Sequence, residues 1–172
     1  MGEEEMLTKI IMDDSLISYE KFLKELAVSN KSDIVANKGL EHAALLLKTI
    51  FNTAQSNVDI FCGTLRSDLS RTEDYYNSLK DCIERGVKVR VIFTGENTQM
   101  VPEMIRTLFD SHRENVETKH IHFDALTTHF TIADDRIFRM EYDIDNFKAY
   151  ASFNDKEYTS TLAEIFNRAW AQ

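Results

Sequence analysis

Residues 79–95 have the sequence LKDCIERGVKVRVIFTG. The first part predicts the end of a helix, because apolar residues recur at helical spacing up to Ile83 and Gly86 stands where a helix commonly terminates. The second part, residues 87–93, predicts a strand in which valines alternate with charged residues. The apolar run VDIFC at residues 58–62 predicts another strand ahead of the helix. A strand, a helix and a strand within this length form a βαβ unit with parallel strands.

Further elements are predicted on both sides of this unit. Helical spacing of apolar residues is present in residues 13–30, 39–55, 73–86, 97–112 and 154–170. Strand patterns are present in residues 116–123, 128–142 and 147–154, of which the second is expected to bend at Asp134 and Asp135. The polar run NKSDIVANKG, residues 30–39, predicts a loop. We expect an α/β fold with a mixed, largely parallel sheet and helices on both faces.

The composition indicates a soluble globular protein. The chain of 172 residues is 43% hydrophobic and 28% charged, which suffices for the core of one domain. A net charge of −9 makes nucleic acid and anionic membranes unlikely partners and would suit a basic protein partner. The start MGEEEMLTK has no signal-peptide pattern, and Cys62 and Cys82 fit reduced core thiols. We therefore expect a cytoplasmic protein.

The order of these elements resembles one half of the phospholipase D-like fold. Three strings carry the resemblance: LKDCIERGVKVRVIFTG, THFTIADDRIFR at residues 128–139, and ASFND at residues 151–155 leading into LAEIFNRAW. The resemblance implies a phospholipase D-like domain over residues 40–172. Residues 1–39 would then form an N-terminal helical extension and loop.

Active members of that family carry His-x-Lys and, four residues later, Asp. Residues i and i+2 of a strand share a face, so the imidazole and the ammonium can meet at one phosphate. The histidine attacks phosphorus, and the lysine stabilises the developing charge. Aligning the strand and its aspartate places Thr127 at the histidine, His129 at the lysine and Asp134 at the aspartate. The alternative register, with His129 as nucleophile, puts Thr131 at the lysine and Arg136 at the aspartate, so neither register restores the reactive pair.

Four further residues are candidates for ligand binding. Ala151-Ser152-Phe153-Asn154 resembles the family's Gly-Ser-x-Asn, which implies that Ser152 and Asn154 touch an anion. Asn154 with Glu157 also matches a capping box for the last helix, and we favour capping for it. His120 and His122 lie two residues apart on a strand and could form a zinc site together with His129. We favour a polar edge strand for them and predict neither a metal nor a cofactor.

The carboxyl ends of the two parallel strands are another predicted ligand position. Open α/β sheets bind ligands at this edge, where Cys62, Arg66, Glu96 and Asn97 follow the strands. For Cys62 we favour core packing.

The favoured function is a catalytically degenerate phospholipase D-like domain acting as a non-enzymatic binding or regulatory module. Its partner would be a protein, such as a basic one, or a small anionic ligand near His129. The alternative is a homodimeric phosphodiesterase or nuclease that uses His129 in a changed active site, although losing one oxyanion stabiliser costs about 10²–10³ in rate. A homodimeric scaffold without a ligand is a third hypothesis.

Overall fold

The structure is a computed structural model that describes residues 6–65, 68–95, 101–122 and 128–172. Its helices are α1 (Asp14–Val28), α2 (Leu40–Thr53), α3 (Glu73–Glu84), α4 (Glu103–Asp110) and α5 (Lys156–Trp170). Its strands are β1 (Val35–Asn37), β2 (Asn57–Cys62), β3 (Lys88–Phe93), β4 (Val116–His120), β5 (His129–Ala133), β6 (Ile137–Asp143) and β7 (Lys148–Ser152). Within the described residues these strands form one seven-stranded sheet in the order β1-β7-β6-β5-β2-β3-β4.

The predicted mixed sheet and βαβ unit are confirmed. Strand β2 pairs with β3 in parallel from Asn57 opposite Lys88 to Cys62 opposite Phe93, with α3 as the crossover. Strand β4 extends the parallel part, and the other pairings of the described strands are antiparallel. The sheet is therefore less parallel than predicted, because β5, β6 and β7 follow one another through short turns, which only antiparallel neighbours allow.

Two local predictions are wrong. Residues 128–142 form two strands instead of one bent strand, since Asp134 and Asp135 adopt positive φ values of 53° and 61° and reverse the chain. Aspartate tolerates this conformation better than most residues. The predicted loop at residues 30–39 contains β1, which pairs with β7. A strand of only three residues carries too little periodicity to be recognised.

Helices cover both faces of the sheet, as predicted. We call the face that carries Ile60 the front face, and its core includes residues of α1, α2, α3 and α4. The back face carries Phe61, Phe130 and Phe138, which pack with Phe166 of α5. Because successive side chains of a strand point to opposite faces, each strand contributes to both cores.

The N-terminal segment shares the front core. Asp13 caps α1 by accepting a hydrogen bond from the Leu16 backbone N–H at 2.8 Å, and Leu23 of α1 is completely buried. Strand β1 places Val35 opposite Ala151 of β7. The division of the chain at residue 39 stays a prediction. Among the described residues, no helix combines the length and apolarity that crossing a bilayer requires.

Candidate functional site

A cavity of about 260 Å³ opens on the front face where β2 ends. Gly63 and Thr64 follow β2 and form one side of it, and Leu47 of α2 lies on another. This is the strand edge where the βαβ unit predicts a ligand. Cys62 lines the cavity, yet its thiol is buried and donates to the Ile92 carbonyl oxygen at 3.6 Å, and burial raises the pKa of the thiol. Packing is thus the role that its surroundings favour.

Four polar side chains form the floor of the cavity. His129 and Thr131 of β5 lie opposite Glu141 and Arg139 of β6, respectively, and all four line the cavity. The alternation of each strand places these residues on the front face. Sequence reasoning had singled out His129 and missed Arg139 and Glu141 as site residues. The sequence signal that could have identified them is a pair of charged residues at positions i and i+2 of a strand whose neighbouring residues are apolar.

The Arg139 and Glu141 side chains form a buried ion pair. The Arg139 Nη2 donates to Glu141 Oε2 at 3.0 Å, and each side chain is only 5% exposed. The Arg139 Nε also donates to Asn37 Oδ1 at 3.2 Å, and the Asn37 amide donates to the Phe147 carbonyl oxygen at 2.7 Å. Burial raises the pKa of Glu141, and the Arg139 charge opposes that rise. Each charge is therefore held in the core by its partner.

The His129 imidazole is hydrogen-bonded at one nitrogen and lies near a carboxylate at the other. The Gly63 backbone N–H donates to its Nε2 at 3.2 Å, while its Nδ1 lies 3.8 Å from Glu141 Oε1. An Nε2 that accepts a hydrogen bond carries no proton, so the neutral ring bears its proton on Nδ1. Burial and the nearby Arg139 charge lower the pKa of His129 to about 4. The ring is consequently neutral at physiological pH.

This lowered pKa predicts a loss of stability in mild acid. As the pH falls from about 6.5 to about 4, the unfolded state binds a proton at residue 129 while the folded state does not. Between pH 7.5 and pH 4.5, we expect the free energy of unfolding to fall by about 1–2 kcal/mol more in the wild type than in His129→Gln. This energy is reduced to allow for the partial solvent exposure of the ring. Urea unfolding followed by circular dichroism at both pH values measures this difference. Equal losses in the two proteins would contradict the prediction.

Asp134 lies away from the cavity. It follows the end of β5, five residues beyond His129, which corresponds to about 15 Å along a strand. Its carboxylate accepts hydrogen bonds from the backbone N–H groups of Gln55, Ser56 and Asn57 at 2.8, 2.8 and 3.1 Å. The side chain therefore fastens the β5–β6 turn to the segment between α2 and β2. Thr127, like Arg66, Glu96 and Asn97, lies outside the described residues.

Ser152 and Asn154 do not join the cavity. Ala151 of β7 pairs with Arg139 on the front face, so Ser152 points to the back face, where it is fully buried. The Asn154 amide donates to the Asn30 carbonyl oxygen at 2.6 Å. The cap of α5 is Asp155, which accepts from a backbone N–H at 2.9 Å, so the capping prediction for Asn154 is wrong by one residue. The anion-binding roles of Ser152 and Asn154 stay predictions.

His120 and His122 also lie apart from His129. His120 ends β4, the strand at the sheet edge, and its ring contacts the Gly95 carbonyl oxygen. Three strand spacings, about 14 Å, separate β4 from β5, too far for a shared zinc ion. Within the described part of the chain, no three His, Cys, Asp or Glu side chains are grouped to hold a metal. The ligand-binding roles of His120 and His122 stay predictions.

Comparisons with known proteins identify the fold. Neither a protein-family model nor a curated protein sequence matches the chain. The structure is similar to the phospholipase D family member Nuc from Salmonella typhimurium, with a TM-score of 0.65, 14% identity, and coverage of 83% of this chain and 96% of Nuc. It is also similar to phosphatidylserine synthase from Haemophilus influenzae Rd KW20, with a TM-score of 0.56, 9% identity, and coverage of 81% of this chain and 38% of the synthase.

A further similar structure is that of TrmBL2, an archaeal chromatin protein with a novel mode of DNA binding. The TM-score is 0.64 at 15% identity, over 92% of this chain, which spans 58% of the length of TrmBL2. The chain therefore has a phospholipase D-like fold, which confirms the fold predicted from its sequence. At these identities, the similarity concerns the fold alone.

Proposed function

We propose that this protein is a non-catalytic phospholipase D-like domain that binds a small ligand in the cavity beside His129. The observation that carries the proposal is the hydrogen bond from the Gly63 N–H to His129 Nε2. A histidine nucleophile needs an available ring lone pair to attack phosphorus. The Nε2 lone pair of His129 is already used within the fold.

The charges around the cavity also argue against phosphoryl transfer. Arg139 is buried and bonded to Glu141, so its charge is already compensated before any phosphate arrives. Among the described residues that line the cavity, there is no lysine to stabilise a developing oxyanion. Effective stabilisation requires donors aimed at the charge that develops in the transition state. This arrangement suits binding better than catalysis.

The shape of the site favours a small ligand over a protein partner. Small-molecule sites are concave and mostly apolar, with a few placed polar groups. The cavity combines apolar side chains such as Leu47 and Leu69 with the polar floor of β5 and β6. The DNA binding of TrmBL2 is not part of the proposal, because a net charge of −9 opposes contacts with phosphates.

Hydrolysis of bis(4-nitrophenyl) phosphate tests the absence of catalysis. We expect wild type and His129→Ala to release nitrophenolate at the same rate as buffer, because neither offers an available nucleophile. His112→Ala is a matched control, since His112 lies beyond α4 and bonds to the Leu108 carbonyl oxygen. Turnover by wild type and His112→Ala that disappears in His129→Ala would reject the proposal. A phosphorylated His129 detected by mass spectrometry would reject it as well.

One observation favours the alternative, a phosphodiesterase that uses His129. The lowered pKa keeps the imidazole neutral, which is the form that attacks phosphorus. This alternative requires His129 to exchange its Gly63 hydrogen bond for substrate and requires a cation from outside the described lining residues. The resemblance implies a homodimer for such an enzyme, and the hydrolysis assay above decides between the two functions.

A further inference from the structure

We infer that the ligand of this cavity is a small uncharged molecule of about ten non-hydrogen atoms, with an apolar body and one hydroxyl head group. The inference rests on the proposed function and names the chemical class of the ligand. It differs from the small anionic ligand, which was one of the two kinds of partner expected from the sequence. That expectation depended partly on Ser152 and Asn154, which do not line the cavity.

Most of the cavity wall is apolar. The side chains that surround the ligand space include Leu47, Ile60, Leu65, Leu69 and Ile144. Burying apolar ligand surface against such a wall contributes about 25 cal/mol for each Å² removed from water. The body of the ligand is therefore apolar.

The charges of the described lining residues cancel. Arg139 and Glu141 neutralise each other at 3.0 Å, and His129 is neutral. A charged ligand would be buried without a counter-charge, or it would have to break the pair and leave one of its members unpaired. Either outcome costs several kcal/mol, since buried charges need partners. An uncharged ligand avoids both costs.

Two buried hydroxyl groups define the polar end of the ligand. Thr131 and Tyr75 line the cavity and are only 7% and 3% exposed. Neither hydroxyl has a hydrogen-bond partner among the described residues. Each hydroxyl is therefore available to a ligand, and a neutral hydrogen bond of this kind contributes about 0.5–1.5 kcal/mol. A ligand hydroxyl can donate to one of them and accept from the other.

The cavity volume sets the size of the ligand. An apolar protein cavity of about 150 Å³ holds one benzene molecule, which has six ring carbons. Scaling to 260 Å³ gives a molecule of about ten non-hydrogen atoms. Substituted benzyl alcohols have this size and the required head group.

A matched set of probes tests the chemical class. We propose titration calorimetry at pH 7.5 with 4-ethylbenzyl alcohol, 4-ethylbenzylamine, 4-ethylbenzoate and inorganic phosphate. The alcohol is expected to bind at least tenfold more tightly than each charged probe. Thr131→Val is expected to weaken binding of the alcohol about fivefold or more. Binding of the apolar analogue 4-ethyltoluene should be unchanged, because the substitution removes a hydroxyl and conserves the shape of the side chain.

Two Ile→Trp variants locate the binding. Ile144→Trp is expected to fill the cavity and abolish binding of the alcohol. Ile34→Trp adds the same bulk at a position that is 56% exposed and outside the cavity. This variant should therefore bind the alcohol with the affinity of the wild type. Circular dichroism tests whether both variants fold. If Ile144→Trp does not fold, the effect of Thr131→Val still tests the inference.

The outcomes separate this inference from the proposed function. Phosphate or 4-ethylbenzoate could bind as tightly as the alcohol and lose that binding in Ile144→Trp. This result would overturn the inference that the ligand is uncharged, but it would agree with the proposed binding function. Alcohol binding that survives in both Ile144→Trp and Thr131→Val would overturn the assignment to this cavity. If wild type binds none of the probes, the inference is overturned, while the hydrolysis assay still decides whether the domain is catalytic.

Discussion

Glu141→Gln is expected to lower the free energy of unfolding by about 3–5 kcal/mol, the usual cost of breaking a buried ion pair. The substitution keeps the shape of the side chain but removes its charge. Arg139, which is 5% exposed, would then lie in the core with no compensating carboxylate. Its remaining hydrogen bond to Asn37 does not replace that charge. Urea unfolding followed by circular dichroism measures the difference from wild type.

Two controls show whether the buried charge causes the loss. Glu84→Gln removes the same group from an exposed i,i+4 pair with Lys80, whose atoms lie 3.8 Å apart, and should change stability by less than about 0.5 kcal/mol. The double variant Arg139→Met with Glu141→Leu replaces the pair with apolar side chains and should recover most of the stability. If Glu141→Gln costs no more than Glu84→Gln, the pair is not an important part of the core. A double variant less stable than Glu141→Gln would contradict the explanation by an unpaired charge.

Asp134→Ala is expected to lower the free energy of unfolding by about 3 kcal/mol. The substitution removes the acceptor of three backbone N–H groups, those of Gln55, Ser56 and Asn57. It also places alanine at a φ of 53°, where a β-carbon is unfavourable. Urea unfolding again measures the change, and we expect the turn between β5 and β6 to be the weakened region.

Asp135→Ala is the matched control for backbone strain. Asp135 has a φ of 61° and an exposed side chain, and its carboxylate makes no hydrogen bond to the described residues. This variant should lose only about 1–2 kcal/mol through its conformation. Asp134→Asn tolerates positive φ and retains one acceptor oxygen, so its loss should be intermediate. Equal losses for Asp134→Ala and Asp135→Ala would mean that the three hydrogen bonds contribute little.

The result for Asp134 also bears on its place in the family motif. The resemblance placed Asp134 at the motif aspartate, whereas its contacts are with the segment between α2 and β2. A destabilised Asp134→Ala protein that still binds 4-ethylbenzyl alcohol below its unfolding transition would assign the residue to folding. Its position beyond the end of β5 opposite to His129 makes this the expected result.

Local patterns predicted the elements well where the pattern was long. The helix that ends at Gly86 and the strand after it were recognisable because the apolar period changes from 3.6 to 2 residues. The hairpin at Asp134 was misjudged, because a two-residue reversal interrupts an alternating pattern only briefly. Strand β1 was missed because three residues are too few for a pattern, and its pairing with β7 joins segments more than 110 residues apart.

By itself, the sequence determined the parallel βαβ centre, the amphipathic helices and the placement of His129 on a strand. These features follow from spacing along the chain, which decides the side chains that share a face. Only the tertiary structure decided that Arg139, Glu141 and Thr131 meet His129 at one cavity and that Ser152 faces the other way. The physical reason is that strand order and cross-strand register arise from long-range pairing. A shift of one residue in register would have sent each of these side chains to the opposite face.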